Sequence, residues 1–196
     1  MSPFAESAFF SDYADRLARV LRATDWAPIC RLGEDLLRCW RERRQVLICG
    51  NGGSAANAMH IANDLIYGIS KQMGGGLRIH ALPSNTSIMT CLANDEGYEA
   101  VFSHQVGVLA EAGDLLLVLS GSGNSPNILQ ALDQARRMGV KSYAILGYDG
   151  GKAKALADVP IHVGVNDMQI AEDLQLIVAH MVMQWLHEHR CGDAES

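Results

Sequence analysis

His60 and Asp64 are the pair in this chain whose types and spacing point most directly to chemistry. They stand four residues apart, so a helix over residues 55–67 puts them on one face. An imidazole and a carboxylate so placed can chelate one divalent ion, and the same pair on a solvated face is an ordinary surface contact. The spacing alone leaves both readings open. Just upstream runs Cys49-Gly50-Asn51-Gly52-Gly53-Ser54-Ala55-Ala56. Glycines there let the backbone turn sharply and approach a ligand. Ser54 stands where a helix N-cap is expected, and free N–H groups with the helix dipole favour an anion. No GK[ST] follows, so the turn is not a Walker A loop, and its glycines miss the GxGxxG spacing. A second turn reads Leu119-Ser120-Gly121-Ser122-Gly123-Asn124-Ser125-Pro126. Pro126 fits the first helical position and Ser125 the N-cap. Its hydroxyls and N–H groups converge at the carboxyl end of a strand, where open α/β sheets bind ligands. Phosphate is the ligand this turn suits.

Five short apolar runs supply the strands that must position these turns: residues 45–50, 77–82, 115–120, 142–147 and 159–163. Three are almost continuously apolar, as in strands buried on both faces of a parallel sheet. Helical patterns lie between them at 55–67, 98–111, 126–138 and 152–158. The alternation predicts a three-layer α/β/α sandwich around a five-stranded parallel sheet. Two amphipathic helices precede it, at 7–23 and 27–43, and a long one follows, at 168–189. One domain over residues 1–196 is expected: a helical segment at about 4–43, a core at about 45–165, and the C-terminal helix. The end helices are more than the sheet needs for cover, so Trp26, Trp40, Met181, Met183 and Trp185 are expected to meet another subunit.

Composition narrows the partners. The 196 residues carry a net charge of −6 and no basic run, which argues against nucleic acid. Five cysteines form no CxxC pair, so reduced thiols are expected, with Cys49 and Cys91 in the core. No basic-then-apolar leader and no long uncharged apolar stretch is present, which predicts a cytoplasmic protein with no membrane span.

The turns GNGGS and SGSGNSPN resemble those of the SIS (sugar isomerase) domain, a flavodoxin-like fold that binds phosphosugars. Taken with GNGGSAANAMHIANDL, CLANDEGYEAVFSHQV, GDLLLVLSGSGNS and GYDGGKAKALAD, the chain is similar over residues 27–189 to the phosphoheptose isomerases. Those enzymes interconvert sedoheptulose 7-phosphate and a heptose 7-phosphate for surface polysaccharide synthesis. The resemblance implies phosphate on Ser54, Ser120, Ser122 and Ser125, with Asn51, Gly52, Gly53, Gly121 and Asn124 around it. It implies that Asp95 contacts the sugar, and that His60, Asp64, Glu172 and His180 hold a divalent metal, zinc first. It gives His180 an acid/base role, implies a homotetramer, and lists Glu172 among the substrate contacts too. Four positions depart from the family: Asp64 replaces a glutamate, Glu172 a glutamine, Gly121 a threonine, and Gly68 an arginine.

Ketose–aldose isomerisation needs a base at the C–H and an acid or metal at the oxygen. Asp64 is the expected base and His180 the expected proton shuttle. Two rivals stand beside this reading. One is a non-catalytic phosphosugar-binding or protein-association factor, like the relative that binds the bacterial replication initiator. The other is an isomerase for a different sugar phosphate. His104 is a candidate for the cleft, while His80 and His162 are expected to be structural.

Overall fold

The computed structural model describes residues 3–71 and 75–191. Five strands, β1 (Gln45–Gly50), β2 (Arg78–Ala81), β3 (Leu115–Ser120), β4 (Lys141–Leu146) and β5 (Val159–His162), form one parallel sheet in the order β2-β1-β3-β4-β5. The order reverses at β1, and β3 lies beside it. Gly50 pairs with Leu119, so the chain leaves both strands side by side. That is the switch point where a doubly wound sheet opens a crevice.

Eight α-helices occur among the described residues: α1 (Pro3–Ala23), α2 (Ala27–Arg41), α3 (Gly53–Ile66), α4 (Thr86–Asp95), α5 (Ser103–Leu109), α6 (Pro126–Arg137), α7 (Ala153–Leu156) and α8 (Met168–Cys191). One face of the sheet packs on α2, α3 and α8 through Leu36, Ile61, Leu65, Val178 and Leu186. The other packs on α4–α7 through Leu92, Phe102, Val106, Ile128 and Leu132. All six residues of β3 are buried, which is why it reads as an unbroken apolar run. Each such Leu or Val side chain removed from water contributes about 1.5–3 kcal/mol before entropy is counted. α1 lies outside the two layers, on the start of α8. There the Tyr13 hydroxyl donates to Asp173 at 2.6 Å, Arg16 pairs with Asp167, and Leu17 and Val20 pack near Ile170 and Leu174.

Several expectations are corrected. The helix expected over 98–111 is a short 3-10 turn, Tyr98–Ala100, followed by α5. The break lets both Val101 and Phe102 reach full burial. α4 was not expected at all. Cys49 is fully buried, but Cys91 is exposed and its thiol donates to Asp95 at 3.4 Å. Trp40 is a core residue, 3% exposed, with its indole N–H donating to the carbonyl of Gly75. Met183 and Trp185 are partly buried against the core, while Trp26 and Met181 remain exposed, with Phe9 and Phe10 on α1. The side chain of Cys191 lies outside the described residues.

Asp35 ties α2 to the sheet. It accepts from the Tyr143 hydroxyl at 2.6 Å, and pairs with Lys141 at 2.6 Å and Arg38 at 3.3 Å. Burial pushes its carboxyl up, but the bonds from Lys141, Tyr143 and Arg38 outweigh that and hold it below the usual value. A depressed carboxylate contributes stability above its unfolded pKa and loses it as pH falls through the folded one. Asp35→Asn is therefore expected to cost about 2 kcal/mol at pH 7, the scale of hydrogen bonds to a charged group. In urea unfolding, the gap between wild type and variant should narrow as pH falls below about 4. A gap that does not change with pH would contradict this role.

Candidate functional site

Between the two glycine-serine turns is a cavity of about 120 Å³, with Ser54, Ser120, Ser122 and Ser125 in its wall. The first turns of α3 and α6 open onto it, and Met168 and Glu172 bring the start of α8. Three helix N-termini thus border one space: those of α3 and α6 bring N–H groups and the positive ends of their dipoles, whereas at α8 the N–H groups of Gln169 and Ile170 already donate to Asp167 Oδ1. The hydroxyls are pre-aimed. Ser120 Oγ accepts from the N–H of Gly123 at 3.0 Å, Ser122 Oγ from the N–H of Asn124 at 3.3 Å, and Ser54 Oγ from Gln175 Nε2 at 3.0 Å. Each serine has a lone pair engaged by an N–H, which leaves its O–H to donate into the cavity. Among the described residues no lysine or arginine lines this space. An anion held here is held by neutral donors.

Ser54 is not the N-cap. Gly52 takes that position, with φ 55°, and Ser54 lies in the first turn of α3, 4% exposed. β1 ends at Gly50 and the chain turns at once, so the left-handed residue must be a glycine. Ser125 does cap α6, with Pro126 first in the helix, though its side chain makes no capping bond. Asn51 bonds reciprocally with Asn127 at 2.8 and 2.9 Å, and the Tyr98 hydroxyl donates to it at 3.1 Å. Asn124 spans the turn: its amide donates to the Ser122 carbonyl and accepts from the N–H of Lys152. At Gly121, a Cβ would sit 2.6 Å from Met168 Sδ. The threonine of the family pattern would displace that thioether, which here closes the cavity instead.

Three of the four expected metal ligands come together. His60 Nε2 lies 3.1 Å from His180 Nε2, and both lie 3.3 Å from Asp64 Oδ2. Donors on a tetrahedral ion at 2.0–2.1 Å stand roughly 3.3 Å apart, so the set fits zinc without rearrangement. Two imidazoles and a carboxylate are also a donor set that iron accepts. Both histidines are nearly half exposed, so the cluster opens to the surface. Glu172 is not in it. It lies eight residues, about 12 Å of helix, before His180. Its carboxylate presses on Gly53, in the serine-lined cavity, where any Cβ would collide with it. Among the described residues it makes no ion pair, so it stands in the cavity wall as a charge that would oppose an anion.

α3 and α8 pair in step: Ser54 with Gln175, Asn57 with Glu172 and Gln175, and His60 with His180. The two helices therefore run parallel, away from the serine-lined cavity and toward the cluster. Asp95 stands outside that cavity's wall, exposed, accepting from Asn94 and Cys91. His104 lines a different cavity, with His80, between β2 and α5. Sequence reasoning missed Asn127 and Gln175, 2% and 1% exposed, which orient Asn51 and Ser54. Asn127 stands inside the second turn's motif and Gln175 one turn past Glu172, so position was the available signal.

The sequence model of the SIS domain matches residues 8–147. The chain belongs to the SIS-domain family. Its relatives within that family include the phosphoheptose isomerase of Trichlorobacter lovleyi, 38% identical over 166 residues, covering 85% of this chain and 84% of the relative. That of Helicobacter pylori strain Shi470 is 38% identical over 154 residues, covering 79% and 80%. The structure of phosphoheptose isomerase from Neisseria gonorrhoeae superposes with a TM-score of 0.84 at 30% identity, covering 93% of this chain and 98% of that one. The Francisella tularensis enzyme shares the fold at 23% identity, with a TM-score of 0.88, covering 96% of this chain and 100% of that one. The SIS assignment accords with the two serine turns at the switch point of the sheet.

Two substitutions should move anion affinity in opposite directions. Ser122→Ala removes one aimed donor and is expected to weaken inorganic phosphate by about 1 kcal/mol or more. Glu172→Gln removes the opposing charge and is expected to tighten it by a similar amount. Calorimetric titration reads both. Unchanged affinity in both variants would move the anion elsewhere.

Proposed function

We propose that this SIS-domain protein is an aldose–ketose isomerase that interconverts sedoheptulose 7-phosphate and D-glycero-D-manno-heptose 7-phosphate, for surface polysaccharide precursors. One observation carries the reading: a His/Asp cluster lies one sugar length from the phosphate cavity along two parallel helices. Ser54 and His60 are separated by six residues and Ser54 and Asp64 by ten, which is about 9–15 Å of helix. That span suits a seven-carbon sugar whose C1–C2 end is remote from its phosphate, and suits a triose poorly. The names of its relatives point to the same substrate.

The serine turns and the N-termini of α3 and α6 bind the phosphate and set the sugar's register. Asp64 has two oxygens with different neighbours: Oδ2 faces both histidines, and among the described residues Oδ1 accepts from Asn63 alone, at 3.3 Å. Oδ1 is the atom we assign to carry the proton between C1 and C2. The 3.1 Å contact between the two Nε2 atoms requires one ring to donate and the other to accept. His180 is the group we assign to the hydroxyl side of the transfer, and it carries that proton on Nε2 only when no ion occupies the cluster. His60, Asp64 and His180 are the residues that would hold a divalent ion, zinc first, and such an ion would supply Lewis-acid polarisation of the carbonyl. Exposed Phe9, Phe10, Trp26 and Met181, with a half-exposed cluster, support a homotetramer that covers the site.

In deuterated water, turnover is expected to place deuterium at C2 of the aldose or C1 of the ketose. Asp64→Asn should cost about 10²-fold or more in kcat. A protein that binds sedoheptulose 7-phosphate but neither isomerises nor exchanges it, or any other sugar phosphate offered, would be a non-catalytic binder. Elemental analysis should find about one metal per chain, lost in His60→Ala. Metal retained in that variant would refute the ligand set.

A further inference from the structure

A larger cavity, of about 570 Å³, opens on the other side of the second serine turn. Its wall is Ser122, Asn124, Tyr148, Asp149, Gly164 and Asn166, from the loops that follow β3, β4 and β5. Ser122 alone is common to this wall and that of the phosphate cavity. The wall has one carboxylate and no cation, so it does not suit a second phosphate. Among the described residues the Tyr148 hydroxyl and the Asn166 side-chain amide have no hydrogen-bond partner.

The wall is held rigidly at a cost to its backbone. Tyr148 adopts φ 45°, a left-handed conformation uncommon for a residue with a Cβ. Its N–H donates to the Val165 carbonyl at 2.9 Å, and its carbonyl accepts from His162 Nε2 at 3.0 Å. The Lys154 ammonium donates to His162 Nδ1 at 3.0 Å, which fixes that ring's tautomer. The same loop backs onto the phosphate turn: the N–H of Gly147 donates to the Gly121 carbonyl and that of Ala153 to the Gly123 carbonyl. At Gly123, with φ 65°, a Cβ would collide with the Gly150 carbonyl. Strained residues persist where the surroundings over-determine them, and they gather at ligand clamps.

The Tyr148 ring, the hydroxyls of Ser122 and Tyr148, the Asn166 amide and Asp149, whose Oδ1 accepts from the N–H of Gly151 at 3.0 Å and whose Oδ2 is left for a ligand, surround an open space and make a set that recognises vicinal hydroxyls. The carboxylate accepts from them, an amide both gives and takes, and the ring covers a C–H face. We propose that this cavity binds the ring of an unphosphorylated sugar as a second ligand, and that its occupancy changes phosphate affinity through Ser122 and Asn124. The proposal does not depend on the isomerase reading. By linkage, phosphate must change sugar affinity by the same factor.

The test is NMR of the isotope-labelled full chain, titrated with D-mannose, D-glucose, N-acetylglucosamine and sedoheptulose, with and without saturating inorganic phosphate. At least one sugar is expected to give saturable shifts in the Asn166 side-chain amide with phosphate present. Asn166→Ala and Asp149→Asn should each weaken that sugar about fivefold or more, the effect of one lost hydrogen bond, while phosphate alone binds as in the wild type. Retained phosphate binding also shows that the variants fold. No saturable shift with any of the four sugars, or shifts that survive both substitutions, would overturn the site. A sugar displaced by sedoheptulose 7-phosphate but not by inorganic phosphate would make the cavity the substrate's own, and would overturn a second ligand. Identical sugar affinity with and without phosphate would overturn the coupling.

Discussion

In the proposed function the cavity between the serine turns attracts a dianion with no lysine or arginine among the described residues of its wall, and that constraint bears on the rest of the molecule. Neutral donors and helix dipoles act only at short range, so α3 and α6 must begin at one point, beside the start of α8. A parallel sheet whose strand order reverses beside β1 and β3 supplies that point. Gln175, Gly123 and Asn124 then occupy the acceptor sides of three serines, so that the hydroxyl protons face inward. Glu172 works against this arrangement, and its tolerance depends on a Gly53 that leaves room for its carboxylate.

The helices that begin at that cavity also carry the His/Asp cluster to which the proposed function gives the chemistry. Because α3 and α8 stay in step, His60, Asp64 and His180 meet two or three turns along, with donor separations of 3.1–3.3 Å. Asp64 is one methylene shorter than the glutamate the family resemblance led one to expect, yet it reaches both histidines. The fourth expected ligand does not reach them, since Glu172 sits at the opposite end of the span.

The strands were legible in the sequence to within a residue or two, because burial on both faces leaves almost no polar residue in β3 or in the second half of β1. α4 was not legible. Thr86, Ser87, Thr90 and Asn94 are weak helix formers, and only Leu92 in it is buried. Its start was marked by Asn85, which caps it by accepting from the N–H of Ile88. The His60/Asp64 pair was legible from spacing, whereas the approach of His180 is a tertiary fact that only resemblance supplied. Trp40 and Cys91 show the limit of apolar pattern. A tryptophan expected at a subunit contact fills the core, and a cysteine in an apolar stretch faces solvent beside Asp95.

The central claim is that the anion cavity and the His/Asp cluster are the two ends of one site. Protein loaded with manganese and bound to sedoheptulose 7-phosphate tests it, through the paramagnetic relaxation of the phosphorus nucleus. A metal on His60, Asp64 and His180 with phosphate at Ser54 and Ser122 predicts a separation of about 9–15 Å. Phosphorus in direct contact with the ion, or a bound sugar phosphate whose phosphorus does not sense the ion, would contradict it.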